Sequence, residues 1–436
     1  MKEFIYFDNA ATTYPKSERV YKAMEEANRC LAVNAGRGSY RLAKKAASVI
    51  EETRKNILRL AKAEEVAEVV FTPSATLACN QVLGGLSWKK ENTVYVTPYE
   101  HNAVMRVLHL LQQQYGFQIE ELAITPETLE LDMEKIKYQF GKRPPNVVVM
   151  SQVSNVTGYI VPWEEIAREA QKYESVVIMD GSQGFGLVPV QLKNTPVDFY
   201  IFAGHKTLYG PLGVGGYINN RGKTLKHLLA GGTGSDSLNL QMSEDTAGYE
   251  PGSHNIVAIA GLLEATREIL EKETSVKEEL LQQGELNKEK LQQEKMKKDK
   301  LQLQELWQKK FQQDLRREQE LRQYLEEKLS KIPGVILYLG KCEEEKESIV
   351  KERAVEERTG IVPMNIEGYK AADVGMVLDE DYNIAVRTGY HCAPLIHKYL
   401  KDEDYAGVVR ISLGKFNTKE EIDYLVKAVE EIAMGW

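Results

Sequence analysis

Lys206 carries the most pointed chemistry in this chain. It stands in Phe202-Ala203-Gly204-His205-Lys206-Thr207, just after the apolar run Val197-Asp198-Phe199-Tyr200-Ile201 and ahead of Gly210-Pro211-Leu212-Gly213. A lysine that follows a strand beside a histidine and runs into a Gly/Pro turn reaches the carboxyl edge of a sheet, where ligands collect in open α/β folds. Desolvation there removes part of the ammonium charge, and the neutral amine can attack a carbonyl as a Schiff-base nucleophile. An ordinary solvated loop lysine is the alternative. The carbonyl partner that suits such an amine is pyridoxal phosphate. That cofactor needs a carboxylate for its pyridine nitrogen, a ring stacked on it, a phosphate cradle and a cationic clamp for the substrate carboxylate.

Each part has a candidate. Asp180 ends the run Val176-Val177-Ile178-Met179, 26 residues before Lys206. A carboxylate there can keep a pyridine nitrogen protonated, or it can cap the next helix. Phe71-Thr72-Pro73-Ser74-Ala75-Thr76 follows a strand and opens a helix, where free N–H groups and hydroxyls bind phosphate or simply cap. His101, in Glu100-His101-Asn102, can stack on a ring or be structural. Cys392 lies in Arg387-Thr388-Gly389-Tyr390-His391-Cys392-Ala393-Pro394, a loop in which His391 and Arg387 can favour thiolate. Arg410 sits inside the apolar strand Val408-Val409-Arg410-Ile411-Ser412 and needs an anion, either a substrate carboxylate or a structural Asp or Glu.

Composition narrows the class. The chain has 436 residues, 43% of them apolar, and a formal net charge of −8. No basic excess exists to neutralise phosphates, so nucleic acid is not an expected partner. No apolar run is long enough for a membrane helix, and the first residues lack a signal-peptide core, so a cytoplasmic protein is expected. The four cysteines, Cys30, Cys79, Cys342 and Cys392, are too scattered for a zinc cluster and too few for a disulfide scaffold, and no metal is expected.

The elements that must position these residues are legible. Val69–Phe71, Thr93–Val96, Asn146–Met150, Val176–Met179 and Asp198–Ile201 read as buried strands. Helical stretches such as Tyr40–Lys62 and Pro162–Tyr173 separate them, which implies βαβ units and a mostly parallel sheet. A helix begins near Asn255. A C-terminal α/β region follows, with Val335–Leu339, a turn at Val386–Gly389, Val408–Ser412 and a final amphipathic helix, Thr418–Met434. Between them, about 272–323 is rich in Gln, Lys and Glu. Leu286, Leu291, Met296, Leu301, Leu306 and Phe311 recur every five residues there, a step of about 140° around a helix that spirals instead of forming one seam. A long solvated helical insertion or hairpin is expected, with a docking arm for a protein partner as the alternative.

Jointly these motifs resemble the class V aminotransferase-like, pyridoxal-phosphate-dependent cysteine desulfurases. The resemblance spans nearly the whole chain outside the Gln/Lys/Glu-rich segment. It rests on Tyr6-Phe7-Asp8-Asn9-Ala10-Ala11-Thr12-Thr13, Asn34-Ala35-Gly36-Arg37-Gly38, Ser154-Asn155-Val156-Thr157-Gly158, Asp180-Gly181-Ser182-Gln183, Gly204-His205-Lys206, Gly231-Gly232-Thr233-Gly234-Ser235 and Tyr249-Glu250-Pro251-Gly252-Ser253. Arg387-Thr388-Gly389-Tyr390-His391-Cys392-Ala393 looks like the group with a short catalytic loop, related to the sulfur-mobilisation desulfurases.

The resemblance implies the α/β fold type I of pyridoxal-phosphate-dependent transferases. Its large domain, 14–262, would hold a mostly parallel seven-stranded sheet, and 1–13 with 263–436 would form a smaller α/β domain. It implies that Lys206 forms the Schiff base and shuttles protons, His101 stacks and acts as acid/base, and Asp180 pairs with the ring nitrogen. Gln183 and Asn155 would bond the phenolate and substrate side, while Ala75, Thr76 and His205 would hold the phosphate. Thr233 would reach the phosphate of a partner subunit in a homodimer with shared sites. Arg410, with Arg387, would bind the substrate carboxylate. Ala203 departs from the usual Ser or Thr, so one phosphate hydroxyl is missing. The implied activity removes sulfur from L-cysteine, giving L-alanine and a persulfide on Cys392 for an acceptor protein. A selenocysteine lyase, a cystine C–S lyase or a non-catalytic sulfur-relay scaffold are the alternatives.

Overall fold

Apolar runs become neighbouring strands here because helices cover both faces of the sheet they build. In the computed structural model these strands are Glu68–Thr72, Thr93–Val96, Val147–Ser151, Val176–Asp180 and Phe199–Ala203. The structure describes residues 4–35, 38–65, 67–234, 238–282, 296–339 and 358–435, with backbone alone over 272–282 and 296–312. Across a seven-stranded sheet the order is Glu68–Thr72, Gly215–Asn219, Phe199–Ala203, Val176–Asp180, Val147–Ser151, Thr93–Val96 and Gln118–Glu121. Gly215–Asn219 runs against both its neighbours, and the other pairs are parallel. The register sets Ser151 opposite Asp180, and Asp180 opposite Ile201, so the carboxyl ends fall in line.

Alternation along the strands sorts the core into two layers. Val148, Met150, Val177, Met179, Tyr200 and Phe202 pack in one cluster with helices Arg41–Leu60 and Trp163–Gln171. Val147, Val149, Ile178, Phe199 and Ile201 pack in another with helices Ala75–Gly85 and Asn102–Tyr115. Two strands escape the sequence pattern. Gln118–Glu121 is a polar edge strand, and Gly215–Asn219 opens on two glycines that carry no hydrophobic signal. Gly215 has a steric reason: a Cβ there would stand 2.9 Å from Ala75 N, at the start of a helix that faces the site.

A second sheet orders Val335–Leu337, Ile361–Ile366, Val408–Ser412 and Arg387–Gly389, all antiparallel. The expected turn at Val386–Gly389 is in fact a short strand over Arg387–Gly389. Its glycine reads locally as a turn, but Val408–Ser412 supplies a ladder and sets Arg387 opposite Arg410. The N-terminal Ile5–Tyr6 pairs with Ile384–Ala385, and Ser412 N donates to Phe7 O at 2.7 Å. We propose 14–262 as one domain and 1–13 with 263–436 as the other. A separate cluster joining Ile5, Phe7, Leu325, Val362, Ile411 and Leu425 supports that division.

The Gln/Lys/Glu-rich segment falls on helices Ile256–Gln282 and Met296–Leu329 and on 283–295, which lie outside the described residues, as do Leu286 and Leu291. Gly36, Arg37, Ser235 and Cys342 lie outside them too. The expected solvated face ends before residue 323: Leu315, Glu318, Gln319, Leu321 and Arg322 are buried. Polar tips among them are bonded inside: Gln319 Nε2 donates to Arg358 O at 3.0 Å and Arg322 Nη1 to Glu326 Oε2 at 2.8 Å. Long polar stems that bury while their tips are bonded leave no trace in composition. Among the described residues no helix is long and apolar enough to cross a membrane.

Leu321, Leu325 and Leu329 are buried at four-residue spacing and bind this helix to the second sheet. Leu325→Ala is expected to lower stability by about 2–5 kcal/mol, as a buried leucine truncation does. Denaturant unfolding measures it, and an unchanged midpoint would contradict the packing.

Candidate active site

The parallel strands deliver their following loops to one edge. There the loops after Thr72, Val96, Ser151, Asp180 and Ala203 enclose a cavity of about 210 Å³. Lys206, Asp180, His101, Asn155, Gln183, His205, Ala75, Thr76, Arg387 and Ala203 all line it. Cys392, Arg410 and Thr233 are not among its lining residues. The N-terminal segment closes one wall with Ala10 and Ala11, and Gln183 Nε2 donates to Ala10 O at 2.7 Å.

Burial governs the charges. The Lys206 amine is lowered to about 8, first by desolvation, with Asp180 opposing and Arg410 and Arg387 adding to the fall. Its neutral form is therefore accessible near pH 7. His101 falls to about 4, first by burial and then by Lys206. Its Nδ1 accepts the Ala103 N–H at 3.0 Å and caps helix Asn102–Tyr115, so the neutral ring carries its proton on Nε2. His205 also falls to about 4, from burial and then from Lys206 and Lys16. The backbone under Lys206 is held firmly. The His205 carbonyl accepts from Thr13 N at 3.1 Å, Thr12 Oγ1 at 3.1 Å and Lys16 Nζ at 3.0 Å, and the Lys206 carbonyl accepts from Thr13 Oγ1 at 3.1 Å.

The donor set fits pyridoxal phosphate. His205 Nδ1, Ser182 Oγ and Asn155 Oδ1 are buried with no hydrogen-bond partner among the described residues. The 11-residue helix Ala75–Gly85 turns its N-terminus to the cavity, and Ser74 caps it by accepting from Leu77 N. Asp180 Oδ1 accepts the Ser182 N–H at 2.9 Å, which fixes the carboxylate at its strand end. Sequence reasoning passed over Ser182 and Glu100 although both lie inside quoted motifs. Glu100 is fully buried and pushed up to about 8 by desolvation, while it accepts from Thr97 Oγ1 at 2.6 Å and Ser151 N at 2.7 Å. A residue facing a protein-lined floor has no local spacing signal that could have found it.

The loop of Cys392 descends from the second sheet onto this edge. His391 and Cys392 are left-handed, at φ +47° and +57°, which costs roughly 1–2 kcal/mol for each side-chain-bearing residue. Hydrogen bonds to the large sheet's loops offset it: Asn102 N donates to Cys392 O at 2.6 Å and Asn155 Nδ2 to His391 O at 2.8 Å. Arg387 Nη2 stands 3.6 Å from Cys392 Sγ, so one guanidinium both lines the cavity and touches the thiol. His391 does not supply the positive charge expected of it. Burial pushes it far down, and its Nε2 donates to Val408 O at 3.1 Å. Arg410 is fully buried, with Nη2 on Asp8 Oδ1 at 2.5 Å and Nη1 on Asn155 O at 2.9 Å. Asp8 is the anion beside Arg410 here, and Arg387 is the arginine that lines the cavity.

Comparison with known proteins agrees with this arrangement. The family model of aminotransferase class-V matches residues 5–298 and 300–425. The chain is 28% identical over 439 residues to a cysteine desulfurase of Pectobacterium atrosepticum, covering 98% of this chain and 92% of that protein. It is 28% identical over 441 residues to a cysteine desulfurase of Klebsiella pneumoniae, covering 98% and 93%. Among solved structures, the apo cysteine desulfurase from Thermococcus onnurineus NA1 superposes with a TM-score of 0.79 at 26% identity, covering 99% of this chain and 95% of that one.

The depressed lysine makes a linkage prediction. Lys206 titrates at about 8 when folded against 10.5 as a free side chain, so the unfolded chain binds the extra proton between those values and stability rises with pH across that window. In cofactor-free protein, Lys206→Met is therefore expected to melt above the wild type at pH 7, with the gap closing towards pH 10.5. Equal melting temperatures at pH 7 would show that the amine is solvated.

Proposed function

This chain belongs to the aminotransferase class-V family, and we propose that within it the chain is a cysteine desulfurase, taking sulfur from L-cysteine and leaving L-alanine. One observation carries this reading: Arg387 lines the cavity of Lys206 and also contacts the thiol of Cys392. A thiol joined by one guanidinium to the cavity of a Schiff-base lysine is a constellation suited to capturing sulfur from the substrate.

Lys206, Asp180, His205, Ser182 and the helix N-terminus at Ala75 and Thr76 would hold pyridoxal phosphate, which would supply the electron sink that makes the substrate Cα proton acidic and the Cβ–S bond breakable. Lys206, partly neutral near pH 7, accepts the Cα proton at Nζ. Asp180 would pair with the ring nitrogen and keep its proton in place. His101 offers the flat face of a neutral ring and an Nε2–H for stacking and proton transfer. Arg387 meets the substrate carboxylate and keeps the Cys392 sulfur close. Asn155 and Gln183 border the substrate side of the same cavity. The Cys392 thiolate attacks the substrate sulfur; an S–S bond forms, the Cβ–S bond breaks, and its electron pair returns to the carbon skeleton, which takes up a proton to become the methyl of alanine. The balanced outcome is L-cysteine plus Cys392 thiol giving L-alanine plus Cys392 persulfide. The persulfide then passes to an acceptor protein or a reductant.

The proposal extends to assembly. Leu228, Leu229, Leu238 and Leu240, which flank Thr233 in the sequence, each stand exposed, apolar side chains suited to contact with a second copy of the chain, in which Thr233 would meet the partner site's phosphate. A cytoplasmic setting, which keeps the Cys392 thiol reduced, suits this chemistry.

Incubation with L-cysteine tests the reading. The wild type is expected to release alanine and to carry persulfide on Cys392, while Cys392→Ala should lose alanine formation more than 100-fold with its cofactor absorbance intact. Full turnover in that variant would remove Cys392 from the mechanism. Lys206→Ala should lose the visible band of the bound cofactor, and a borohydride-reducible link surviving in that variant would refute the role of Lys206. Relative rates on selenocysteine and cystine separate the lyase alternatives.

A further inference from the structure

We propose that His397, held by Asp402, is a positioning residue that locks the Cys392 loop in the shape that accepts sulfur. The inference rests on the role of Cys392 given above, but its geometry stands apart from the cavity. His397 begins the short helix His397–Leu400, five residues after Cys392, and it does not line the cavity. Both members of the pair are buried, His397 at 6% exposure and Asp402 at 0%. His397 Nε2 lies 2.9 Å from Tyr390 O. A carbonyl only accepts, so Nε2 carries a proton and donates it. His397 Nδ1 lies 2.5 Å from Asp402 Oδ2, and a proton sits between them. The other Asp402 oxygen has no partner among the described residues, so this side chain is given over to orienting the imidazole. A carboxylate that fixes one ring nitrogen so that the other addresses a single target is the logic of a buried Asp–His pair.

The target is the hinge of the catalytic loop. Tyr390 lies between Gly389, at φ +96°, and the left-handed His391 and Cys392. Its carbonyl also closes the turn by accepting Ala393 N at 3.0 Å, and its ring stands edge-on to the imidazole at 4.9 Å. The remaining ties on this loop, Asn102 N to Cys392 O, Asn155 Nδ2 to His391 O and His391 Nε2 to Val408 O, act on the two following residues. His397 therefore supplies the side-chain donor that fixes Tyr390 itself. With the carbonyl held, the left-handed turn keeps Cys392 Sγ against Arg387, which lines the cavity.

Backbone hydrogen exchange over 387–396 in cofactor-free protein tests this directly. His397→Ala is expected to speed exchange there at least 10-fold while the large sheet stays protected, and His397→Gln, which keeps an amide donor near Tyr390 O, should restore most of the protection. In the cofactor-loaded enzyme, His397→Ala should lower kcat for alanine formation about 10-fold or more with KM for L-cysteine and the cofactor absorbance unchanged. Wild-type exchange in His397→Ala, an unchanged kcat, or His397→Gln behaving no better than His397→Ala would overturn the proposal. Should His397→Ala not fold, Asp402→Asn takes its place, with exchange over 387–396 expected to rise at least 3-fold and an unchanged rate overturning the idea. If the wild type makes no alanine from L-cysteine, the desulfurase reading fails, and the exchange arm alone decides whether His397 locks the loop.

Discussion

Desolvation of the Lys206 amine is the constraint around which the site is arranged. The same burial that lowers Lys206 to about 8 drives His101 and His205 to about 4, so three basic groups stand close together without three positive charges. Asp180 is the group that opposes the fall at Lys206. Glu100, beneath the same edge, is pushed up to about 8, which leaves it largely neutral near pH 7 and spares Asp180 a like-charged neighbour. An amine in such a place has to be aimed by its backbone. The carbonyls of His205 and Lys206 are tied to Thr12, Thr13 and Lys16, residues almost two hundred positions away in the chain.

The Cys392 loop reaches this edge from another sheet. Arg387–Gly389 pairs with Val408–Ser412, and the loop that follows lands on Asn102 and Asn155, which come from loops of the seven-stranded sheet. Arg410 strengthens the same junction by bonding Asn155 O from the second sheet and Asp8 from the N-terminal segment. The contact between Arg387 and Cys392 is made within one strand and its loop, and the meeting of the two sheets sets where that pair stands against the cavity. A left-handed Cys392 is tolerated because several donors from outside its own loop hold the turn.

Much of this was legible residue by residue. The continuous apolar runs of Val147–Ser151 and Phe199–Ala203, a lysine and an aspartate at strand ends and a Ser-capped helix start at Ala75 are local features, and local sterics and hydrogen bonding produce them wherever such residues occur. The polar edge strand Gln118–Glu121, the glycine-led strand Gly215–Asn219 and the buried stretch from Leu315 to Arg322 were not legible, because each owes its state to a neighbour far along the chain.

The sequence by itself therefore determined the chemical inventory: an amine, a carboxylate, an imidazole, a capped helix N-terminus and a thiol, each beside an element that its own residues specify. Only the tertiary structure decided which partner each of several like groups meets. Of two arginines facing each other across one ladder, Arg387 lines the cavity and Arg410 is paired with Asp8. Of two histidines near the thiol, His391 is held neutral, while His397 is tied to Asp402 and Tyr390. Charge pairing and desolvation depend on which groups meet across space, and Asp8 lies 402 residues from the arginine it binds.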